Sequence, residues 1–401
     1  MSESCDVIVV GARCAGSPTA MLLARAGLRV MLVDRASFPS DTLSTHVLHP
    51  RAVATLARWG LLDRLVATGC PPIDTYSYDF GPFTIAGRPG TADAPVAYCP
   101  RRTVLDKLLV DAAAEAGAEV REGFRVDEVL IEDGRVRGIR GTPRDGEAVT
   151  LRAPVVVGAD GWRSRVAEAV RPESYNEKAP LLASYYSYWS GLPMDGRFEI
   201  HIRPFRGFGA APTHDGLTLV IAGWPAAEFQ QKKSEVERHF DETIALAPAF
   251  AERLRAARRE ERFAGAVIPN WFRKPYGPGW ALVGDAGYLK DSITAQGIHD
   301  AFRDAERLAT GIVEHLSQGR PWDEAMSAYQ RDRDEDSLPM YEFTTQLATL
   351  EPPAPEQQAL FAAIHASPAA SDDFARMNAG TLSPATFFAQ DNINRILAHP
   401  T

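Results

Sequence analysis

The strongest constraint on the fold is a strand, a tight turn, a helix and a second strand, all completed by Asp34. Asp6-Val-Ile-Val-Val10 is a short β-branched run of the kind that forms a strand buried on both faces. Gly11 opens a turn, Ala, Met and Leu recur at helical spacing from about Ala15 to Ala26, and Gly27 supplies a stop. Arg29-Val-Met-Leu-Val-Asp34 is the next strand. Strands joined this closely through a helix run parallel, because the crossover winds right-handed, so the class is α/β. The turn reads Gly11-Ala12-Arg13-Cys14-Ala15-Gly16 and departs from Gly-x-Gly-x-x-Gly at Arg13. In that fingerprint the first glycine makes the turn, the second admits a pyrophosphate to the backbone, and the third lets helix and strand approach. The helix start then offers bare N–H groups to phosphates, and a carboxylate at Asp34 can accept ribose hydroxyls. The Arg13 guanidinium could itself neutralise a phosphate.

Downstream, helices are expected near Pro50 to Leu65 and from about Thr103 to Ala116, the latter with an apolar stripe of Leu105, Leu108, Leu109 and Ala112. A hairpin is expected to pair Glu119–Ile131 with Val136–Gly141 across Asp133-Gly134, and Ala153–Gly158 reads as another buried strand. Aromatic and β-branched stretches alternate with Gly and Pro turns from about Leu181 to Pro225, the pattern of an antiparallel sheet. Helices follow from Lys233 to Arg259, a strand at Trp280–Gly284, and a helix from about Gly297 to Gln318. The proline-studded last sixty residues read as a wrapped helical cap. Net charge of −9 argues against nucleic acid as a partner. The four cysteines lack CxxC spacing, so neither a cysteine metal site nor a disulfide scaffold is expected. With no charged-then-apolar leader ahead of Asp6 and no apolar run long enough to span a bilayer, the expected location is the cytoplasm.

Two further motifs join the first. Val155-Val-Val-Gly-Ala-Asp160-Gly161-Trp-Arg-Ser-Arg165 is a strand running into an Asp-Gly turn, and Ala281-Leu-Val-Gly284-Asp285-Ala-Gly287 is a strand ending in Gly-Asp. The latter leads through Ile293-Thr-Ala-Gln296-Gly297-Ile298 into an Ala-containing helix. In this order and spacing, over about residues 5 to 320, the three resemble the FAD-dependent oxidoreductases of the aromatic-hydroxylase fold, the single-component flavin monooxygenases and their relatives. The resemblance implies a Rossmann-type FAD-binding domain interleaved with an antiparallel-sheet substrate domain. The expected division is 1–75, 101–180 and 276–340 for the FAD part, 76–100 and 181–275 for the substrate part, and 341–401 for the cap.

By the same resemblance, Gly11, Ala12, Arg13, Ala15, Gly16 and Asp34 hold the ADP half of FAD, and Arg35 lies near adenine and ribose. Arg102 reaches the phosphates and ribityl chain, while Asp160 and Gly161 lie near both FAD and a nicotinamide cofactor. Gly284 and Asp285 bind ribityl hydroxyls, and Gln296, Gly297 and Ile298 form the loop beside the isoalloxazine. Thr45 and His46, after the second strand, are candidates to hydrogen-bond FAD or substrate, against the alternative of a capped loop, and His49 reads as structural. Lys290 and Asp291 could transfer protons or form a surface ion pair. Tyr185, Tyr186, Tyr188, Trp189 and Trp224 could line a flat pocket, although strand alternation sends only half of the first four to one face.

The resemblance implies a monooxygenase that hydroxylates or epoxidises a small organic molecule, aromatic or polyketide-like, through a flavin C4a-(hydro)peroxide. NAD(P)H would act as a transient reductant, or a partner reductase would supply electrons, and no protein nucleophile is expected. Departures keep a second reading open. The family commonly has Pro-x-x-Gly-Gln-Gly beside the flavin, where this chain has Ser292 and Ala295 in place of Pro and Gly. That suits a reductase or dehydrogenase similar to geranylgeranyl reductases. A third reading is a binding protein on the same fold, as in GDP-dissociation inhibitors. The chain lacks the Trp-x-Trp-x-Ile-Pro signature of flavin halogenases.

Overall fold

In the computed structural model, which describes residues 2–231 and 235–398, strands Val7–Val10 and Val30–Val33 lie parallel with Val7 opposite Val30, joined by helix Gly16–Arg25. They sit inside a six-stranded sheet ordered Tyr276–Gly277, Trp280–Leu282, Val155–Gly158, Val7–Val10, Val30–Val33, Glu119–Arg121. Every pair is parallel except the edge pair of Tyr276–Gly277 with Trp280–Leu282. The absence of polar residues from the inner strands follows from covering on both faces. Val7, Val9, Val155 and Val157 pack with residues of helices Gly16–Arg25, Arg102–Glu115 and Gly297–Gln318. Ile8, Val10 and Val156 pack with Val129, Ile139 and Leu151 of a four-stranded sheet.

Two local expectations need correction. The run from Glu119 is not one strand: Glu119–Arg121 joins the parallel sheet beside Val30–Val33, Gly123 turns the chain at φ 66°, and only Phe124–Glu132 pairs with Arg135–Pro143. A three-residue strand is too short to declare its own partner. The helix expected over Pro50 to Leu65 is two, Pro50–Arg58 and Leu62–Ala67, separated at Gly60 with φ 76°.

The second large element is an eight-stranded sheet in which Leu182–Ser190, Leu217–Pro225, Arg206–Pro212 and Arg197–Arg203 run antiparallel in that order. Thr75–Asp79 and Thr84–Gly87 extend it, with Thr75–Asp79 parallel to Arg197–Arg203. Alternation splits the aromatic run. Ala183 and Trp189 pack with Trp224, Phe240 and Phe250, with Tyr185 against the same cluster, beneath helices Val236–Ala245 and Pro248–Ala256. Tyr186 and Tyr188 form a separate cluster with Leu219. Trp224, Tyr185 and Trp189 are thus core, not pocket wall. The expected helical start at Lys233 lies outside the described residues, and the expected end at Arg259 is instead a short strand, Arg258–Arg259.

After helix Trp322–Leu347 the chain forms helices Pro355–Ala366, Pro368–Asn378, Pro384–Phe387 and Gln390–Ala398. Proline opens three of these because its fixed φ suits a first turn and its missing N–H is not needed there. Leu360, Ile364, Phe374 and Phe387 bury against Tyr78 and Ile85, so the cap seals the far end of the large sheet. Among the described residues, no helix is long and apolar enough to cross a membrane.

Candidate cofactor cleft

The carboxyl ends of the parallel strands carry the three motifs, the position where an open α/β sheet leaves a crevice. Gly11 has φ 102°, and a Cβ on it would lie 2.5 Å from the Ala159 carbonyl oxygen; one on Gly16 would lie 1.7 Å from the Gly11 oxygen. Both glycines are therefore required by packing of the turn itself. Asp34 braces this turn: one carboxylate oxygen accepts the Ala12 N–H and the other the Ala36 N–H, each at 2.7 Å. It is half-buried, with lone pairs left for hydroxyl donors, and Arg35 beside it is exposed.

Arg13 points away from the turn axis to a carboxylate that the sequence did not single out. Its Nη1 meets Asp106 at 2.5 Å and the Ser40 carbonyl at 3.2 Å, while Nη2 donates to the Ser40 hydroxyl at 3.0 Å. Asp106 is completely buried and is also held by Nε and Nη2 of Arg102 at 3.0 and 2.8 Å. Its only sequence signal is the four-residue spacing from Arg102 on one helix. The charge of Arg13 is thus met within the protein, and Asp106 orients both arginines.

Asp160 accepts the Arg165 N–H at 2.6 Å through Oδ2, while its buried Oδ1 has no partner among the described residues. Burial raises its carboxyl above the usual range. Gly161, at φ 79°, faces open space. Gly284, at φ 61°, leaves no room for a Cβ, which would lie 2.7 Å from the Ala15 methyl. Asp285 has many protein groups around it, yet its side chain is open to solvent. Burial pushes its carboxyl up to about 6 against the pull of Arg102 and Lys290.

Gln296 is buried and Ile298 is buried, but Gly297 between them is exposed, at the start of helix Gly297–Gln318. Gly297 has no left-handed φ, and apart from its chain neighbours and its own helix no atom of the described residues lies within 4 Å of where a Cβ would stand. Nothing in the chain itself demands glycine there, whereas a flat ring laid against the helix start would. With the orphaned Asp160 oxygen and the exposed Asp285, this fits a dinucleotide carrying hydroxyls and a planar ring.

Other candidates sit apart from the open cleft. His46 is fully buried at φ 65°, with Nε2 2.8 Å from the Tyr188 hydroxyl and Nδ1 enclosed without a hydrogen-bond partner among the described residues. Burial, with Arg102 nearby, lowers it to about 3, so it is a neutral packed ring. Thr45 is half-buried. His49 is structural, bound to the Tyr76 hydroxyl at 2.7 Å and the Thr294 carbonyl at 3.0 Å. Lys290 and Asp291 do not form a surface pair: Lys290 is buried against Asp300, and Asp291 accepts the Ile293 N–H while its own N–H meets Asn270. Burial pushes the Asp291 carboxyl up to about 7.

The chain belongs to the FAD binding domain family, whose model matches residues 4–343, and it is an FAD-dependent oxidoreductase. Among curated relatives it is 35% identical to protein FixC of Salmonella typhimurium over 370 residues, 84% of this chain and 83% of that one. It is 27% identical to digeranylgeranylglycerophospholipid reductase 2 of Methanopyrus kandleri over 307 residues, 73% of each chain. The fold is that of the myxobacterial chondrochloren halogenase CndH, with TM-score 0.81 and 23% identity, covering 99% of this chain and 97% of that one. It is also that of PqsL from P. aeruginosa in complex with 2-aminobenzoylacetate, with TM-score 0.75 and 21% identity, covering 86% and 96%.

Proposed function

We propose that the protein is an FAD-dependent monooxygenase that hydroxylates or epoxidises a small organic molecule, with NAD(P)H as electron donor. The observation that carries this reading is the face of the large sheet turned toward the cleft loops. Tyr186 donates to the Thr42 carbonyl at 3.3 Å, Tyr188 meets His46, and the Ser184 and Ser292 hydroxyls lie 3.4 Å apart. The Ser184 and Ser292 hydroxyls, backed by the buried rings of Tyr186 and Tyr188, suit a substrate bearing polar groups better than a long aliphatic chain. Bound FAD would supply the electron transfer and the activation of dioxygen.

On this reading, Asp34 and Arg35 take the adenosine ribose, Arg102 and the Gly11–Gly16 turn the pyrophosphate, and Asp160 and Asp285 the remaining hydroxyls. Gly297 gives the ring access to the helix start, whose N–H groups favour negative charge. Ser184 and Ser292 orient the substrate by hydrogen bonds, and the buried Tyr186 and Tyr188 exclude water behind it. A nicotinamide donor would, on this reading, lie in the open depression beyond Asp160-Gly161, lined by Trp162, Arg163, Glu168, Arg171 and Arg273 among others. Arginines there are suited to phosphates.

The test is incubation of FAD-loaded protein with NADH or NADPH, candidate aromatic substrates and ¹⁸O-labelled dioxygen, read by mass spectrometry. Label in the product supports the proposal; turnover without label sinks it. A second reading, a flavin-dependent reductase, draws on the 27% identity to a digeranylgeranylglycerophospholipid reductase and on Ser292 and Ala295 in the flavin-side loop. Substrate reduction under strict anaerobiosis would favour it over the oxygenase.

A further inference from the structure

The helical cap lies beyond residue 343, where the family match ends. We infer that the Asn378–Gly380 turn of the cap is a positioning element for Gln296, and that through it the cap sets the loop beside which the flavin ring lies. The inference rests on the FAD reading above.

Gln296 is buried, and its amide is gripped from outside its own loop. Its Nε2 donates to the Asn378 carbonyl at 2.9 Å. Gly380, at φ 75°, packs so closely that a Cβ on it would lie 3.1 Å from Gln296 Oε1 and 3.3 Å from Nε2. Glycine is thus favoured at 380 by conformation, and an added Cβ would press on the Gln296 amide. The turn is itself fixed. Arg51 donates to the Gly380 carbonyl at 3.2 Å from the helix that follows the His46 loop, and the Thr381 hydroxyl bonds the Pro89 carbonyl at 3.0 Å. It therefore has little freedom to yield to Gln296, and Gln296 must yield to it.

The rest of the loop is tied elsewhere, by Asp291 to Asn270 and by the Thr294 hydroxyl to Thr344 at 2.8 Å. Between Thr294 and Gln296 stands Ala295 at φ 53°, a conformation that an alanine holds only if both neighbours are fixed. The Gln296 amide is the tie adjacent to Gly297, where the helix start opens to the cleft. Moving that amide moves the peptide next to the ring.

A double-mutant cycle tests this. FAD is titrated into apo-protein of the wild type, Gly380→Ala, Gln296→Ala and the double variant, reading flavin fluorescence quenching and the position of the bound-flavin absorption band. Gly380→Ala is expected to weaken FAD binding about ten-fold and shift the band in the wild-type background, but to change affinity less than about two-fold when Gln296 is already Ala. Gly380→Asn tolerates the left-handed φ better while keeping the added Cβ, so it should recover thermal stability without restoring the band. Equal losses in both backgrounds, or a folded Gly380→Ala with unchanged FAD affinity and band, would overturn the inference while leaving the cofactor reading intact. A wild-type protein that takes up no FAD would overturn both.

Discussion

At the residue scale, folding holds Ala295 and Asp285 in states that the residues by themselves disfavour. Ala295 sits at φ 53°, where a Cβ crowds the following carbonyl at a cost of roughly 1–2 kcal/mol, partly offset because glycine is freer when unfolded. The buried Ala295 methyl is worth about 0.8 kcal/mol in the opposite sense, so Ala295→Gly should leave the urea midpoint of the apo-protein nearly unchanged; a loss of more than about 1 kcal/mol would mean that the left-handed φ carries little strain. Asp285 keeps its proton up to about pH 6 when folded, against a usual value of 3.8. The folded state thus carries the burden of its charge above pH 6 and loses that burden below about pH 4. Asp285→Asn should make the apo-protein more stable at pH 8, lose that advantage by pH 4, and bind FAD more weakly; a variant less stable at pH 8 contradicts the assignment. Gly11 and Gly16 were legible in the sequence because one turn needs them five residues apart, and Asp34 because it follows the next parallel strand beside that turn. Asp106 and the Asn378 carbonyl were not, because they reach Arg13 and Gln296 across 93 and 82 residues of chain. Arg13 shows the difference: its sequence position suggested a phosphate, and its distant neighbour turned out to be a carboxylate.

At the scale of elements, helix Gly297–Gln318 is fixed to its surroundings by charge as well as by packing. Asp300 pairs with buried Lys290 and lies 3.3 Å from Arg303, which also bonds Asp304 and the Ser337 hydroxyl. Burial alone would raise the Asp300 carboxyl, but Lys290 and Arg303 outweigh it and hold it at about 2. A carboxyl lowered on folding stabilises fully above its unfolded value and stops doing so as pH falls toward 2. Asp300→Ala strands the Lys290 ammonium and should cost about 3–5 kcal/mol at pH 7. Breaking the exposed Arg238–Glu242 pair by Glu242→Ala should cost no more than about 1 kcal/mol. Equal losses in denaturant unfolding would mean that the interior pair is served by water. Long periodic elements such as Gly297–Gln318 were readable because burial of one face writes a repeat into the chain. Glu119–Arg121 was misassigned because three residues carry no repeat, and its partner is chosen by the sheet.

For the whole molecule, the buried histidines set the response to acid. His46 and His49 are lowered by burial to about 3 and 4, and His299 lies well below its usual value. Each stays neutral when folded, while the unfolded chain takes a proton near pH 6.5, so falling pH favours unfolding by up to about 1.4 kcal/mol per unit for each ring. Asp285 and Asp291, raised to about 6 and 7, work in the opposite sense, because the folded state takes up their protons first. That compensation ends near pH 4, where unfolded carboxyls are protonated too, and the Asp300 contribution fades over the same range. Three rings against two carboxyls leave stability falling by about 2 kcal/mol between pH 7 and 5, and falling further below 4. His299 is the ring to test, since both its nitrogens are buried without partners among the described residues, near Arg51, Asp300, Arg303 and His49. His299→Leu removes two unsatisfied polar atoms and one proton site, so it should exceed the wild type in stability at pH 8, and by a larger margin at pH 5. Urea unfolding at the two pH values decides the matter: a margin that does not grow toward acid would mean that His299 accepts its proton in place, and the acid limb would then belong to other groups.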